Sequence, residues 1–289
     1  MESPNPSPSS ASADRRLWRP AAQRNMRNQW SRLASCKQRW ASASSDGRAH
    51  ATSLINAHFS KKYMPSMDFG VLKEMPDIQK KSYKKLSLRQ ELYGERFLSS
   101  YKNLVNIVSD MVNASRSMRC YLKGSAASPI LQFGNHSEDK NDSGVGGGVP
   151  VFSFYPISYF ENLGQELVEM FVLELSLKRL LVVELLSLCC EEPSGGEADM
   201  STWSDEIYPG EFDDLCSNGL FSKESSQPLP PKIKHWESDI FTVRQTNHNL
   251  NRETLQNYLT MWLAEGNIDM IRIDEIFHIV EGEMQVRLS

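Results

Sequence analysis

A chain of 289 residues, 40% hydrophobic and 24% charged, is long enough for one or two packed domains, while its 14 prolines and 16 glycines gather in a few interrupting stretches. The formal net charge of −4 hides an uneven distribution: residues 1–62 carry eleven Lys and Arg against three acids, a local +8, whereas residues 189–230 carry ten Asp and Glu against Lys223, a local −9. Five cysteines, an odd number with no C-x-x-C, and six histidines without ligand spacing exclude a disulfide or zinc framework and point to free thiols.

An anionic partner for the basic stretch and solvation for the acidic one follow from this asymmetry. Mutual attraction of the two within the protein is the competing reading. Residues 1–14, MESPNPSPSSASAD, have almost no large apolar group to offset the entropy of ordering and are expected to form a disordered tail.

Residues 15–63 form a basic, tryptophan-containing arm. Arg16, Arg19, Arg24, Arg27, Arg32, Lys37 and Arg39 interleave with Trp18, Trp30 and Trp40. Cations that release phosphate counterions beside indoles that stack on bases make these cations, with Trp30 and Trp40, a candidate nucleic-acid contact. Two other readings stand beside it: helix with a solvated basic face, and an organelle-targeting segment. Trp30 with Leu33, and again Leu54, Ile55, His58 and Phe59, recur at helical spacing and predict two short helices.

The core is expected over 77–188. A long helix is predicted over 77–123, where Phe97, Tyr101, Leu104, Val108, Met111, Ser115, Met118 and Leu122 alternate gaps of four and three in a heptad seam. Residues 124–149 are polar and glycine-rich, a loop; the run Gly144 to Gly148 lacks the Gly-Lys-Ser/Thr of a phosphate loop. Val149 to Tyr155 is the best strand candidate, confined by Pro150 and Pro156 to an edge or to an extended lid on the helix that follows.

That helix, 158–188, has Phe160, Leu163, Leu167, Met170, Phe171 and Leu175 on one broad apolar face. Ser158 and Glu161 have the spacing of a capping box. Its length, roughly 45 Å at 1.5 Å per residue, needs a long covering element. Either the 77–123 helix packs antiparallel on it within one chain, or both helices enter a bundle shared between chains. In the second case Phe97, Tyr101, Leu104, Val108, Met111, Leu163, Leu167, Glu174 and Lys178 form a partner interface supporting a homo- or hetero-oligomer. Glu174 and Lys178, one turn apart inside the apolar face, are either a mutual ion pair at the edge of the core or a register-fixing contact with a partner helix. The apolar run after Arg179 spans about ten residues where a membrane span needs about twenty, so no membrane partner is expected.

Residues 189–231 read as an acidic linker stiffened by Pro228, Pro230 and Pro231. Asp214 to Ser225 imitates a calcium loop, but Cys216 and Ser225 stand at ligand positions and exclude it. Residues 232–289 are expected to form a helical hairpin. Asn251 caps a helix with Leu255, Tyr258, Leu259, Trp262 and Leu263 in one stripe and Gly266 as its stop, and a last helix from about Asp269 to Glu281 buries Ile273, Ile276, Phe277 and Val280. The fold class expected is mainly α: an irregular helical bundle with two long helices, flexible loops and a disordered N-terminal tail. Without a nucleophile elbow, H-E-x-x-H, Walker A or dinucleotide fingerprint, no catalytic, cofactor-binding or metal residue is assigned.

Several strings, taken in order, resemble one family. NQWSRL at 28–33, ASASS at 41–45 leading to HATSL at 50–54, KYMP at 62–65, SMRC at 117–120, PVFSF at 150–154, YFENL at 159–163 and LKRLLVVE at 177–184 are similar to the multipolar-spindle proteins of plants, also called recombination initiation defect proteins. The resemblance covers roughly residues 28–188 and, more loosely, the C-terminal helices. It implies a non-catalytic nuclear factor on meiotic chromosomes, needed for programmed DNA double-strand breaks and for bipolar spindle organisation. Its implied partners are other break-formation proteins, with weak, non-specific DNA contact through the basic arm. The alternative is an adaptor acting directly on microtubules, its arm meeting acidic tubulin tails.

Overall fold

The computed structural model describes residues 8–75, 77–123, 130–134, 142–190, 202–222, 224–234 and 251–288. The fold is mainly α, an irregular bundle. In chain order its helices are α1 (Pro8–Tyr63), α2 (Ile78–Arg116), α3 (Ile157–Leu186), α4 (Glu211–Ser217), α5 (Arg252–Ala264) and α6 (Met270–Met284). Two short antiparallel hairpins join them: β1 (Cys120–Lys123) with β2 (Ile130–Phe133), and β3 (Phe221–Ser222) with β4 (Gln227–Pro228).

The longest element is α1, 56 residues, where two short helices were expected. Its inward stripe advances in steps of three or four from Trp18 and Ala22 through Trp30, Leu33, Trp40 and Gly47 to Ala51 and Leu54. The polar Asn25, Gln29, Ser44 and His58 belong to the same buried stripe, so apolar periodicity alone understates it. Pro20, on the exposed side, withholds one helical N–H, a defect of ~3 kcal/mol in a free helix that the packed one tolerates. Residues 1–7 of the expected tail lie outside the described residues; 8–14 are the first turns of α1.

The chain divides into two compact units. The first takes α1 up to Gln38, Val108–Phe171 and the chain from Asp269 onward. Its core includes Met26, Trp30, Val108, Met111, Leu167 and Ile276, all buried. Here α2 ends at Arg116 rather than 123, and the seam residue Leu122 falls on β1. Ser115 and Met118 crowd Gly164, where an added Cβ would stand 2.8 Å from the Met118 methyl carbon, and Arg119 reaches Glu161 at 2.7 Å. Advancing along this stretch retreats along α3, the antiparallel sense. Because Glu161 is taken by Arg119 and α3 already starts at Ile157, Ser158 and Glu161 do not act as a capping box.

The glycine run has a packing role. Gly144 (φ 71°) and Gly146 (φ 63°) adopt left-handed backbone, and a Cβ on either would enter the ring of Tyr121 or Trp18. Trp18 Nε1 beneath this loop donates to the Cys120 carbonyl at 2.7 Å. Val149 to Tyr155 forms no strand: Val151 pairs only with Tyr155 across a local turn, and the Val151 and Phe152 carbonyls accept from Gln23 and Arg19 of α1. Glu283 of α6 accepts from the Phe154 and Tyr155 N–H groups, so the backbone of this segment is held by side chains of α1 and α6 rather than by a ladder.

The second unit takes Arg39–Ile107 and Val172–Ile268. Phe97, Tyr101, Leu104, Leu175, Val182, Leu185 and Trp262 are buried in it. Gln90 donates to the Leu188 carbonyl, and eleven residues on, Tyr101 shares Glu211 with Arg179; this pairing is again antiparallel. Residues 202–222 and 224–231, expected within a solvated acidic linker, are instead folded, with Trp203, Tyr208, Leu215 and Leu220 buried and Trp203 Nε1 donating to the Pro228 carbonyl at 3.0 Å. The start of the linker, 191–201, lies outside the described residues. Asn251 caps α5 as expected, accepting from Thr254 N–H at 2.8 Å. The stop differs: Glu265, not Gly266, takes the left-handed conformation (φ 47°). In the expected hairpin, α5 falls in the second unit and α6 in the first, where Ile273, Ile276, Phe277 and Val280 are buried as expected.

Candidate functional site

The inward stripe of α1 decides where its cations go. With Trp18, Met26, Trp30 and Leu33 turned to the core, Arg19, Arg24, Arg27, Arg32 and Arg39 come out exposed. Several then turn back on their own chain. Arg19 donates to the Val151 carbonyl at 3.0 Å and to the Phe152 carbonyl. Arg27 lies 5.2 Å over the Phe152 ring and donates to the Met284 carbonyl at 3.5 Å. Lys37 pairs with Asp274 at 2.8 Å above the Phe277 ring, and Arg32 donates to Gln29 at 3.2 Å. Arg24 is exposed with no such engagement among the described residues; the Arg16 side chain lies outside them.

The stacking half of the nucleic-acid reading is overturned. Trp30 is fully buried, with its ring edge-on to Phe277 at 5.8 Å, and Trp40 is 2% exposed with Nε1 donating to Glu265 at 3.1 Å. Neither indole offers a face to a base. What remains on α1 is a charge row, not a base-stacking platform.

The candidate partner interface is likewise taken up by the chain itself. Phe97, Tyr101, Leu104, Val108, Met111, Leu167, Glu174 and Lys178 are all 0% exposed and Leu163 is 5% exposed. The heptad seam is a core seam.

Glu174 and Lys178 are an ion pair, but in the interior rather than at its edge. Lys178 Nζ donates to the Trp262 carbonyl at 2.8 Å and stands 3.6 Å from Glu174 Oε1 and 3.4 Å from Glu265 Oε1. The rings of Trp262 and Trp40 lie 4.4 and 5.8 Å from the ammonium. Glu174 Oε2 accepts from Asn267 N–H at 3.0 Å, whereas Oε1 has no hydrogen bond. Burial dominates both groups: it raises the Glu174 carboxyl above its usual 4.5 and lowers the Lys178 ammonium below its usual 10.5, against the pull of each on the other.

At the next residue after Lys178, Arg179 builds a second centre that the sequence reading passed over. Its guanidinium holds Glu211 at 2.9 and 3.1 Å and donates to the carbonyls of Trp203 and Asp205, both at 2.7 Å. Glu211 also accepts from Tyr101 Oη at 2.7 Å and from Ile207 N–H at 2.8 Å. Burial first, then the Glu211 charge, holds the Tyr101 phenol well above its ordinary value. The signal was available: a second cation directly after Lys178 in a run as apolar as LKRLLVV needs a buried acid.

These centres join polar groups in hydrogen-bonding geometry, yet Glu174, Lys178 and Glu211 are fully buried and Arg179 is 1% exposed. No reactant can touch them in this conformation, so their chemistry is that of cross-links between helices. No group of His, Cys, Asp and Glu among the described residues has metal-holding geometry. No protein-family model and no curated protein matches the chain significantly.

Proposed function

We propose that this chain is a non-catalytic scaffold of the meiotic machinery that forms programmed DNA double-strand breaks and organises a bipolar spindle. The reading rests on the resemblance to the plant multipolar-spindle proteins. One observation lends it physical weight: the strings of that resemblance coincide with contact-making positions. SMRC supplies the Ser117 and Met118 carbonyls that accept from Asn25, the Cys120 carbonyl that accepts from Trp18, and Arg119, which pairs with Glu161 of YFENL. PVFSF supplies the carbonyls held by Arg19 and Gln23, and LKRLLVVE supplies Lys178 and Arg179. The likeness is therefore to residues that set a helical framework, the part a scaffold has to keep.

In this role α1 meets duplex DNA through exposed charge alone, Arg24 and Arg32 foremost, with affinity that falls steeply with salt and ignores sequence. The test has two arms. A tagged full chain is localised in meiocytes, and nuclear foci on prophase chromosomes are expected; exclusion from the nucleus overturns the reading. In vitro, R24E/R32E is expected to weaken retention of duplex DNA by about tenfold at low salt. Unchanged retention removes the DNA role, and co-sedimentation with microtubules in its place favours the adaptor.

A further inference from the structure

A different surface carries an inference that stands apart from the meiotic reading. The first turns of α2, IQKKSYKKLSLRQEL, put Lys80, Lys81, Lys84, Lys85 and Arg89 on the exposed side, and no ion pair or hydrogen bond engages these side chains among the described residues. Lys80 with Lys84, Lys81 with Lys85, and Lys85 with Arg89 are like charges one turn apart, each pair opposing the helix it sits on. At about 100° per residue, Leu88 and Leu92 fall in the middle of this cationic arc, with Lys80 and Lys84 to one side and Lys85 and Arg89 to the other. The two leucines are 56% and 42% exposed. The opposite face is fixed: Gln90 and Gly94 are buried, Gln90 donates to the Leu188 carbonyl, and Lys61 lies 5.4 Å over the Tyr83 ring. The helix cannot roll its leucines inward without breaking these contacts.

We infer that this face of α2 is a docking site for an acidic amphipathic helix of a partner protein, its leucine-type side chains seating on Leu88 and Leu92 and its carboxylates meeting the surrounding lysines. Two apolar anchors at i and i+4 on an arc with a cationic surplus, Lys80, Lys81, Lys84, Lys85 and Arg89 against Glu91 and Glu95, are the complement of such a helix, with an apolar centre and a charged rim. A nucleic-acid backbone has no use for the leucines. A lipid surface needs a longer apolar stripe than two half-exposed residues.

The experiment titrates the full chain into a fluorescein-labelled peptide of repeated Leu-Glu-Glu-Leu-Ala-Glu-Glu and reads anisotropy. Binding is expected to weaken about tenfold or more in L88S/L92S and in K81E/K85E, each with an unchanged circular dichroism spectrum. The K81E/K85E chain is expected to bind instead the peptide in which lysine replaces glutamate, so that loss through misfolding is separated from loss of complementarity. Equal binding of a peptide with alanine in place of leucine overturns the proposal, as does indifference to L88S/L92S. Binding to duplex DNA, or to phosphatidylcholine vesicles containing about 30% phosphatidylserine, without binding to the peptide also overturns it.

Discussion

Arg179 and Glu211 meet as a bidentate pair, Nε to Oε1 at 2.9 Å and Nη2 to Oε2 at 3.1 Å, with side chains only 1% and 0% exposed. At that depth the effect of losing one partner is dominated by the charge left behind. R179M should strand the Glu211 carboxylate with only the Tyr101 hydroxyl and the Ile207 N–H, costing ~3–5 kcal/mol, whereas R179M/E211L removes both charges and should recover most of that loss. Urea unfolding followed by tryptophan fluorescence, to which Trp203 contributes with its ring 4.6 Å from the Arg179 guanidinium, reports it. A single variant costing under about 1 kcal/mol would show that water reaches the pair.

The Glu174 site behaves oppositely to a surface carboxylate. Burial raises its folded value above the usual 4.5, so between those two values the folded chain binds more protons than the unfolded one. Stability from this group is therefore fully present below pH 4.5 and is lost as pH rises through the folded value. In matched urea titrations, the stability difference between the parent chain and E174Q should shift in favour of the parent as pH falls from neutral toward 4.5, then level off. A difference that is flat with pH, or that shifts toward the variant, contradicts the assignment.

How legible these features were depends on which pattern carried them. The 158–188 helix, the seam from Phe97 to Met118 and the Asn251 cap were readable because each uses a single local rule, periodicity or capping, that tertiary packing did not override. α1 was under-read because its inward face intersperses its tryptophans and leucines with Asn25, Gln29, Ser44, Gly47 and alanines, which make hydrogen bonds or admit close neighbours instead of supplying apolar periodicity. The acidic stretch misled for the converse reason. Glu211 counts as solvated charge in a composition window, and only the spatial arrival of Arg179 and Tyr101 makes it a core residue. Exposure of Trp30 and Trp40 could not be read from their basic neighbours, since in a helix adjacent residues point in directions about 100° apart.

The thiols should separate by environment. Burial first, and then the Asp142 charge, pushes the Cys120 thiol up to about 12, so almost none of it is thiolate at neutral pH. Cys216 is half-buried on α4. With iodoacetamide at pH 7.5 and mass-spectrometric mapping, native Cys216 should be labelled about tenfold or more faster than Cys120, and urea should erase the difference. Equal native rates would mean that the β1 region opens on the labelling timescale.

Gly47 sets two effects against each other. Glycine inside α1 is worse than alanine by about 1 kcal/mol on propensity alone, so G47A would stabilise an isolated helix. In the folded chain, however, a Cβ at Gly47 would lie 2.6 Å from Cζ2 of Trp262. That ring cannot step aside cheaply, since its Nε1 donates to the Ser44 carbonyl at 2.9 Å, Phe97 stands 5.1 Å away and Lys178 covers it. Overpacking of this kind costs ~1–3 kcal/mol and should outweigh the propensity gain, leaving G47A net destabilised. The crowding also predicts non-additivity: in W262L, which vacates the ring, G47A should become neutral or stabilising. Thermal unfolding of the four chains of that cycle decides it, and a G47A chain more stable than the parent would mean that α1 and Trp262 do not approach this closely.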